Sequence, residues 1–288
     1  MRRITRMACA GLLLLAISCQ PDQEDTAPMP VTPVEKVTKN FVQEEAYPGV
    51  KGTPESIIVN GENVSALHMD GNYVLEGDIL ISDKVVGTNA SGNPEAVGVV
   101  GRRWPNGVVY YDVADDMPKI NRINISQAIR HWDENTNLRF EWRTNQPNYV
   151  VFEPGEGCAS EEGMVRGRQV IKLSPECDYG NTLHEIGHCV GLFHEHNRLN
   201  RDRYVEIIFE NIEEGKEHNF IRTDILDSDV KDWAGQFNFG SIMMYHPTAF
   251  SINGKPTIVR RDGKGYAAQR ERLTSVDIMG VNYMYKDE

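Results

Sequence analysis

Residues 184–195 read His-Glu-Ile-Gly-His-Cys-Val-Gly-Leu-Phe-His-Glu, which places three histidines and a carboxylate within twelve positions. Residues four apart on an α-helix share a face, so His184 and His188 can bind one ion from the same side. Gly191 lacks a Cβ and can adopt a left-handed turn that ends the helix and brings His194 back toward the ion. The pattern predicts a helix, a sharp turn and a three-histidine metal site.

Three neutral imidazoles leave the fourth position of a Zn2+ ion open, which distinguishes a catalytic site from a closed structural one. Glu185 follows the first of them and is placed to take a proton from a water molecule that attacks a polarised carbonyl. The alternative is an amphipathic helix that carries histidine and glutamate without function. Gly191 and His194 at their offsets argue against it. We predict a zinc peptidase core with one Zn2+ per chain.

The overall composition sets looser limits. The chain has 288 residues, 40% of them hydrophobic, and a formal net charge of -12. This length allows an export segment, a pro segment and one catalytic domain. The negative charge argues against nucleic acid or an anionic membrane surface as a partner.

The first 19 residues have the features of a signal peptide. Three arginines precede the apolar run at 11–17, which is too short to anchor the chain stably in a bilayer. Cys19 ends a Leu-Ala-Ile-Ser-Cys sequence that resembles a bacterial lipobox, although Ala16 stands where a larger aliphatic residue is usual. We predict lipidation at Cys19; a plain signal peptide with an incidental cysteine is the alternative. Residues 20–39 are polar and are predicted to form a flexible tether.

Residues 40–97 are predicted to form a pro segment. Strand-like runs at 56–59 and 73–81 are bounded by Asn-Gly and Asp-Gly turns. Asp78 follows a glycine, which would let the backbone approach a cleft closely. Its carboxylate could occupy the open zinc position of a latent protease, so that the pro segment acts as inhibitor. Taken alone, Gly-Asp is an ordinary turn, and only the metal motif downstream makes Asp78 a candidate latency residue.

Residues 98–288 are predicted to form the catalytic domain. Strands are expected at 108–113, 138–142, 149–152 and 169–173, and a helix whose apolar residues recur at helical spacing around Ile129. The metal-binding helix should begin near 178–181, where capping residues cluster. A last helix should begin at Thr274, which starts a sequence typical of a capping box. Strands and helices mixed ahead of the metal motif predict an α+β fold with a less regular half below the cleft.

Cysteine usage fits an exported protein. Cys158 and Cys177 would close a loop of about 20 residues, worth about 3 kcal/mol in the chain-entropy account. We predict that they pair; two buried free thiols are the alternative, which export disfavours. Cys189 remains, and is expected to point into the core as a small apolar residue.

Residues 184–203 resemble the signature of the astacin family of metzincin metalloendopeptidases. Further matches lie at 155–158, 167–170, 241–245 and 269–273, and together they cover nearly everything from Trp104 to the C-terminus. The resemblance implies a zincin-like domain with a twisted N-terminal sheet, an active-site helix and an irregular C-terminal half, preceded by a pro segment. It implies an exported zinc endopeptidase, made as a zymogen, that acts on extended polypeptides. We expect a monomer, secreted or held at the outer membrane or cell surface as a lipoprotein before activation.

The resemblance also assigns roles to single residues. Leu75 stands where the family's latency motif usually has an aromatic residue, and Met244 and Asn200 replace a usual histidine and aspartate. The implied roles are zinc ligand for His184, His188 and His194, general base for Glu185, apolar turn beneath the metal for Met243, extra zinc ligand or transition-state donor for Tyr245, latency switch for Asp78, and contact to the new N-terminus, after cleavage within 88–100, for Glu195.

Three questions of function stay open at this level. Arg260 and Arg261 precede Gln269 in a region that can border the pocket after the scissile bond, where they would favour acidic side chains; exposed solubilising arginines are the alternative. A surface binding protein that keeps the zinc site as a relic is a second class of function, and the presence of Glu185 argues against it. A metal hydrolase of small amides or esters is a third.

Overall fold

The computed structural model describes residues 44–96, 103–222 and 237–286, all within a compact unit that spans Phe41–Glu288. The predicted signal peptide, the tether and Cys19 lie outside the described residues, as does the predicted boundary between pro segment and catalytic domain. None of the helices described is long and apolar enough to cross a membrane.

Residues 44–96, here called the N-terminal segment, form a small sheet that is antiparallel except for the parallel pair of its first and last strands. Its strands are β1 (Glu55–Val59), β2 (Glu62–Met69), β3 (Asn72–Leu75), β4 (Ile79–Ser82), β5 (Gly87–Thr88) and β6 (Pro94–Ala96). Asn60-Gly61 and Asp70-Gly71 have positive φ angles at both positions, as two-residue hairpin turns require. Nine apolar side chains of these strands form a cluster of their own.

Two sequence expectations for this segment need correction. The strand predicted at 73–81 is divided into β3 and β4 by a turn in which Glu76 and Gly77 have φ angles of 49° and 88°. Apolar residues stand on both sides of Glu76-Gly77-Asp78, and the prediction joined them into one strand although these three polar and glycine residues mark the turn. The strand β2 was not predicted, although its alternating burial is regular.

The remaining described residues, 103–222 and 237–286, are here called the C-terminal region. Its strands are β7 (Val108–Val113), β8 (Arg139–Trp142), β9 (Tyr149–Pro154), β10 (Cys158–Glu161) and β11 (Arg168–Leu173), with the helix α1 (Lys119–Asn135) after β7. The strand β10, which was not predicted, pairs with β11 on one side and with β4 on the other. One sheet therefore runs through both parts, in the order β5-β6-β1-β2-β3-β4-β10-β11-β9-β7-β8.

Helix α2 (Tyr179–Cys189) packs against α1 beneath this sheet. The indole Nε1 of Trp132 donates to the carbonyl of Leu183 at 3.1 Å, which joins the two helices in the buried core. After α2 the chain is mostly short turns, with a two-stranded sheet of β12 (Val205–Ile207) and β13 (Ile258–Arg260), and ends in α3 (Ser275–Met284). The predicted α+β fold with a less regular second half is confirmed.

Candidate metal centre

Helix α2 begins and ends where its sequence indicates. Asp178 accepts from the backbone N–H of Gly180 and Asn181, and the Asn181 side chain accepts from the backbone N–H of Asp178, which completes a capping box. At the other end Gly191 has a φ of 101° and donates to the carbonyl of His188. Leu192 donates to the carbonyl of Gly187, so the helix closes with a Schellman motif. The predicted turn at Gly191 is confirmed.

Four buried side chains come together beside α2 and the turn that follows it. The group consists of Asp78, His184, His188 and His194, whose potential ligand atoms all lie within 4.8 Å of one another. The Asp78 carboxylate lies 3.3, 3.4 and 3.3 Å from Nε2 of the three histidines in turn. The sequence brought the histidines together by local spacing. The position of Asp78 depends on the pairing of β4 with β10.

The outer nitrogen of each imidazole is bound to an acceptor. Nδ1 of His184 lies 2.8 Å from the carbonyl of Ile242, and Nδ1 of His188 lies 2.7 Å from the carbonyl of Leu192. Nδ1 of His194 lies 2.8 Å from the carboxylate of Glu76. Since these oxygens accept, each Nδ1 carries the proton and each Nε2 presents a lone pair to the centre.

The centre has the chemistry of a zinc site. Nε2 of His184 and Nε2 of His188 are 3.1 Å apart, and two lone pairs at that distance repel unless a cation lies between them. Both carboxylate oxygens of Asp78 and Nε2 of His194 are buried without a hydrogen bond to the described residues. Buried polar atoms need partners, and three imidazoles with one carboxylate match the ligands and coordination number of zinc.

Glu185 is buried beside this cluster. Neither of its carboxylate oxygens has a hydrogen-bond partner among the described residues. Burial raises the pKa of Glu185 well above its usual value, the carboxylates of Asp78 and Glu44 raise it further, and Arg270 acts in the opposite direction. The Glu185 carboxylate can therefore accept a proton, because no hydrogen bond to the described residues engages its oxygens.

The segment that contains Met243 lies directly beneath α2. A Cβ on Gly187 would come within 2.6 Å of the sulfur of Met243, so the helix and this turn touch where glycine leaves space. The carbonyl of Met243 also accepts from the backbone N–H of Glu195 at 3.0 Å. The position fits the role that the sequence resemblance implies for Met243.

Tyr245 is buried among aromatic rings at the same centre. Its ring stacks on His196 with centroids 3.9 Å apart and meets the ring of His194 at 4.5 Å. Its hydroxyl donates to the backbone carbonyl of Glu76. In this structure the tyrosine is therefore bound by the N-terminal segment, beside the metal cluster.

Other predicted residues also have defined partners. The Glu195 carboxylate accepts from Arg198 at 2.8 Å and from the backbone N–H of Asn238 at 2.6 Å. Cys158 and Cys177 form the predicted disulfide, with Cα atoms 5.9 Å apart, and Cys189 is a buried free thiol in the core, as expected.

Arg260 and Arg261, the two arginines considered for substrate specificity, both have partners within the protein. Arg260 pairs with Asp262 and covers the ring of Phe239, with its guanidinium carbon 4.0 Å from the ring centroid. Arg261 donates to the carbonyl of Val205 at 3.3 Å.

A buried ion pair between Glu44 and Arg270 lies near the metal cluster, and the sequence analysis assigned no role to it. Arg270 donates to both oxygens of Glu44, at 2.5 and 2.9 Å, and Asn181 donates to the same carboxylate at 2.7 Å. Burial opposes ionisation of Glu44, but Arg270 lowers its pKa to about 2. The role of Glu76 on His194 was also missed. Arg270 lies within a family match, and nothing in the sequence pattern singles out Glu44.

Comparisons with known proteins agree with this geometry. The family model for astacin, a peptidase family, matches residues 97–286. Astacin-like metalloprotease toxin 1 of Loxosceles intermedia is 34% identical over 244 residues, which cover 81% of this chain and 86% of the toxin. Zinc metalloproteinase nas-4 of Caenorhabditis elegans is 31% identical over 221 residues, which cover 75% and 69% of the two chains.

A solved structure is also similar. High choriolytic enzyme 1 of Oryzias latipes, a hatching enzyme zinc-protease, superposes with a TM-score of 0.59 at 28% identity and covers 65% of this chain and 94% of its own. The family match includes all three histidines and Glu185. With the metal cluster in place as well, the chain belongs to the astacin family and is a zinc metalloprotease.

Proposed function

We propose that this zinc metalloprotease is an exported endopeptidase made as a zymogen, with Glu185 as its general base. The observation that supports this most directly is the buried carboxylate of Glu185, which has no hydrogen-bond partner among the described residues and follows the ligand His184 in α2. A general base needs an accessible lone pair within reach of the water that it deprotonates.

The side chains divide the chemistry among them. Bound zinc supplies the Lewis acidity that polarises the scissile carbonyl and acidifies water. Glu185 takes the proton of the attacking water and delivers it to the leaving amine. Ile242, Leu192 and Glu76 hold the three imidazoles in the tautomer that leaves Nε2 free. Once its hydroxyl leaves the carbonyl of Glu76, Tyr245 can donate to the oxyanion of the tetrahedral intermediate.

Polypeptide substrates would bind along β10. Extended peptides commonly bind to an enzyme by adding a strand to an exposed sheet edge. In this structure that edge is occupied by β4, and the backbone N–H of Ser160 donates to the carbonyl of Asp78 at 2.9 Å. A substrate strand therefore competes with the N-terminal segment for the same hydrogen bonds.

The N-terminal segment fits the role of the inhibitory pro segment, residues 40–97. Its Asp78 lies among the three histidines and would take the ligand position that a catalytic zinc site keeps open for water. Its Glu76 carbonyl binds Tyr245. The family match begins at residue 97, directly after β6. These contacts block the metal, the proposed oxyanion donor and the substrate edge together.

Residues 1–19 would direct export, with Cys19 as the site of lipid attachment. Under this proposal the lipid anchors only the zymogen, because Cys19 precedes the pro segment, and activation releases a soluble monomeric protease. Lipid found on the mature enzyme would contradict this part of the proposal.

The test of the function is proteolysis of casein by the protein from which the N-terminal segment has been removed. We expect activity that a metal chelator abolishes. Glu185→Ala should lower it about a hundredfold to ten thousandfold while the zinc content stays at that of the wild type. A folded, zinc-loaded wild type that cleaves none of several polypeptides would instead favour the surface binding protein of the same fold.

A further inference from the structure

Backbone hydrogen bonds, buried ion pairs and apolar contacts hold the N-terminal segment to the C-terminal region. We infer that cutting the covalent junction at 97–102 does not by itself release the segment, which stays bound in the cleft as an inhibitor until a second event removes it. The inference rests on the proposed zymogen and adds a second step to its activation.

The first set of contacts is made by the backbone. The edge of β10 pairs with β4, and its backbone N–H groups donate from Ser160 to the carbonyl of Asp78 at 2.9 Å and from Cys158 to the carbonyl of Glu45 at 3.1 Å. A Cβ on Gly157 would lie 1.9 Å from the carbonyl of Glu45. The two backbones thus approach as closely as in a single domain.

The second set consists of ion pairs. The adjacent residues Glu44 and Glu45 bind two different cations of the C-terminal region, Arg270 and Lys216. The side chains of the first pair are 0% and 8% exposed, and those of the second pair are 16% and 9% exposed. Charge pairs buried to this extent act mainly on the rate of dissociation.

The third set is apolar. Phe193 of the C-terminal region packs against the cluster formed by β1 to β4 and β6. On the opposite face of the segment, Ala159 and Val170 share a second cluster with Tyr47, Val74 and Leu80. Both faces of the small sheet therefore contribute to the interface, which resembles a folded core more than a flexible strap.

Cleavage changes only how the two parts are connected. A short covalent link gives the segment an effective concentration in the millimolar range. Breaking the link removes this advantage and leaves every described hydrogen bond, ion pair and apolar contact in place. Release then depends on dissociation, or on a second proteolytic event that digests the segment.

The experiment uses the full chain with the recognition sequence of a site-specific protease placed at 97–102. In a Glu185→Ala background, where the product cannot digest the segment, the cleaved protein is passed through a size-exclusion column. We expect both fragments to elute together. In the wild-type background, freshly cleaved protein should show less than about a tenth of the activity reached after the segment is removed.

Substitution of Glu44 tests whether the ion pairs determine how fast the cleaved fragments dissociate. Glu44→Gln, introduced into the same cleavable chain, should raise the rate of fragment dissociation at least about tenfold. Glu62→Gln is the matched control, because this exposed glutamate of β2 carries the same charge and appears in none of the described contacts to the C-terminal region. To keep the test independent of the folding of Glu44→Gln, the dissociation rate is also measured for Glu45→Gln, which breaks the second ion pair and should accelerate dissociation as well.

Immediate separation of the fragments, with full activity upon the cut, would overturn the inference and leave the proposed zymogen intact. Fragments that co-elute support it even if the segment-free protein lacks peptidase activity, a result that would instead refute the proposed function. Equal dissociation of Glu44→Gln, Glu62→Gln and the parent would refute the role given to the ion pair.

Discussion

The carboxylate of Glu44 accepts two hydrogen bonds from the guanidinium of Arg270, across 226 positions of the chain. The pair lies close enough to the metal centre that both groups act on the pKa of Glu185. Burial raises that pKa most, Asp78 and Glu44 raise it further, and Arg270 lowers it. Departure of the N-terminal segment would therefore remove two carboxylates that oppose ionisation of the proposed base and leave the cation that favours it.

Replacing Asp78 should weaken latency in the uncleaved chain, while the contacts of Glu76 with Tyr245 and of β4 with β10 remain. An amide is a poorer zinc ligand than a carboxylate, so uncleaved Asp78→Asn should hydrolyse a fluorogenic peptide at least about tenfold faster than the uncleaved wild type. Asp83→Asn, which removes an exposed carboxylate of the same segment that contacts His68, is the control and should stay latent. If uncleaved Asp78→Asn is as inert as the wild type, the carboxylate is not the main block.

The histidines at 194 and 196 provide a matched pair for the metal. Both are buried, but only His194 belongs to the metal cluster, whereas Nε2 of His196 donates to the carbonyl of Asn219 at 3.2 Å. Changing a residue that is hydrogen bonded to a metal ligand lowers metal affinity roughly tenfold to hundredfold. His194→Gln removes a ligand itself, so it should lower zinc affinity by more than this. His196→Gln should retain zinc. The measurement is zinc content after dialysis against a weak chelator, and equal retention would remove His194 from the ligand set.

Tyr245→Phe tests the proposed oxyanion donor. Loss of one such donor lowers kcat by about a hundredfold to a thousandfold, and KM should change little because the ground state does not use the hydroxyl. The control is Tyr283→Phe, which removes the hydroxyl of an exposed tyrosine on α3. Kinetics on one peptide, with zinc content measured alongside, decide the matter, and an unchanged kcat would assign Tyr245 to packing alone.

The stability of the full chain should depend on the protonation of Glu161. Burial raises the pKa of Glu161 from 4.5 to about 7. The folded state thus favours the protonated form, whose stabilising contribution is complete below pH 4.5 and is lost as pH rises to about 7. Above that window the ionised carboxylate costs up to about 3 kcal/mol.

Glu161→Gln should remove this dependence. In a Glu185→Ala background, its melting temperature relative to the parent should rise between about pH 5 and about pH 8. Glu62→Gln serves again as the exposed control. Parallel pH profiles for Glu161→Gln and the parent would show that the carboxyl titrates normally in the folded state.

The features that were predicted correctly from the sequence are those that depend on residues close together in the chain. The bounds of α2, the turn at Gly191 and the cap at Thr274 depend on side chains within a few positions of one another, and all agree with the structure. The strand β10 was missed because its residues Cys-Ala-Ser-Glu are all buried. A strand flanked on both sides by neighbours need not show polar and apolar alternation.

The sequence by itself determined the three-histidine helix and turn, the glutamate beside it and the family, because helical geometry converts fixed spacing into fixed positions. The tertiary structure showed that Asp78, which the sequence offered only as a candidate, joins the metal cluster. It alone decided that Glu76 binds His194 across 118 positions and that Glu44 binds Arg270. The contacts of Asp78 and Glu76 depend on the pairing of β4 with β10, since both residues lie in the turn that leads into β4. Partners so distant along the chain meet only when the packed core fixes the paths between them, and no local pattern encodes that path.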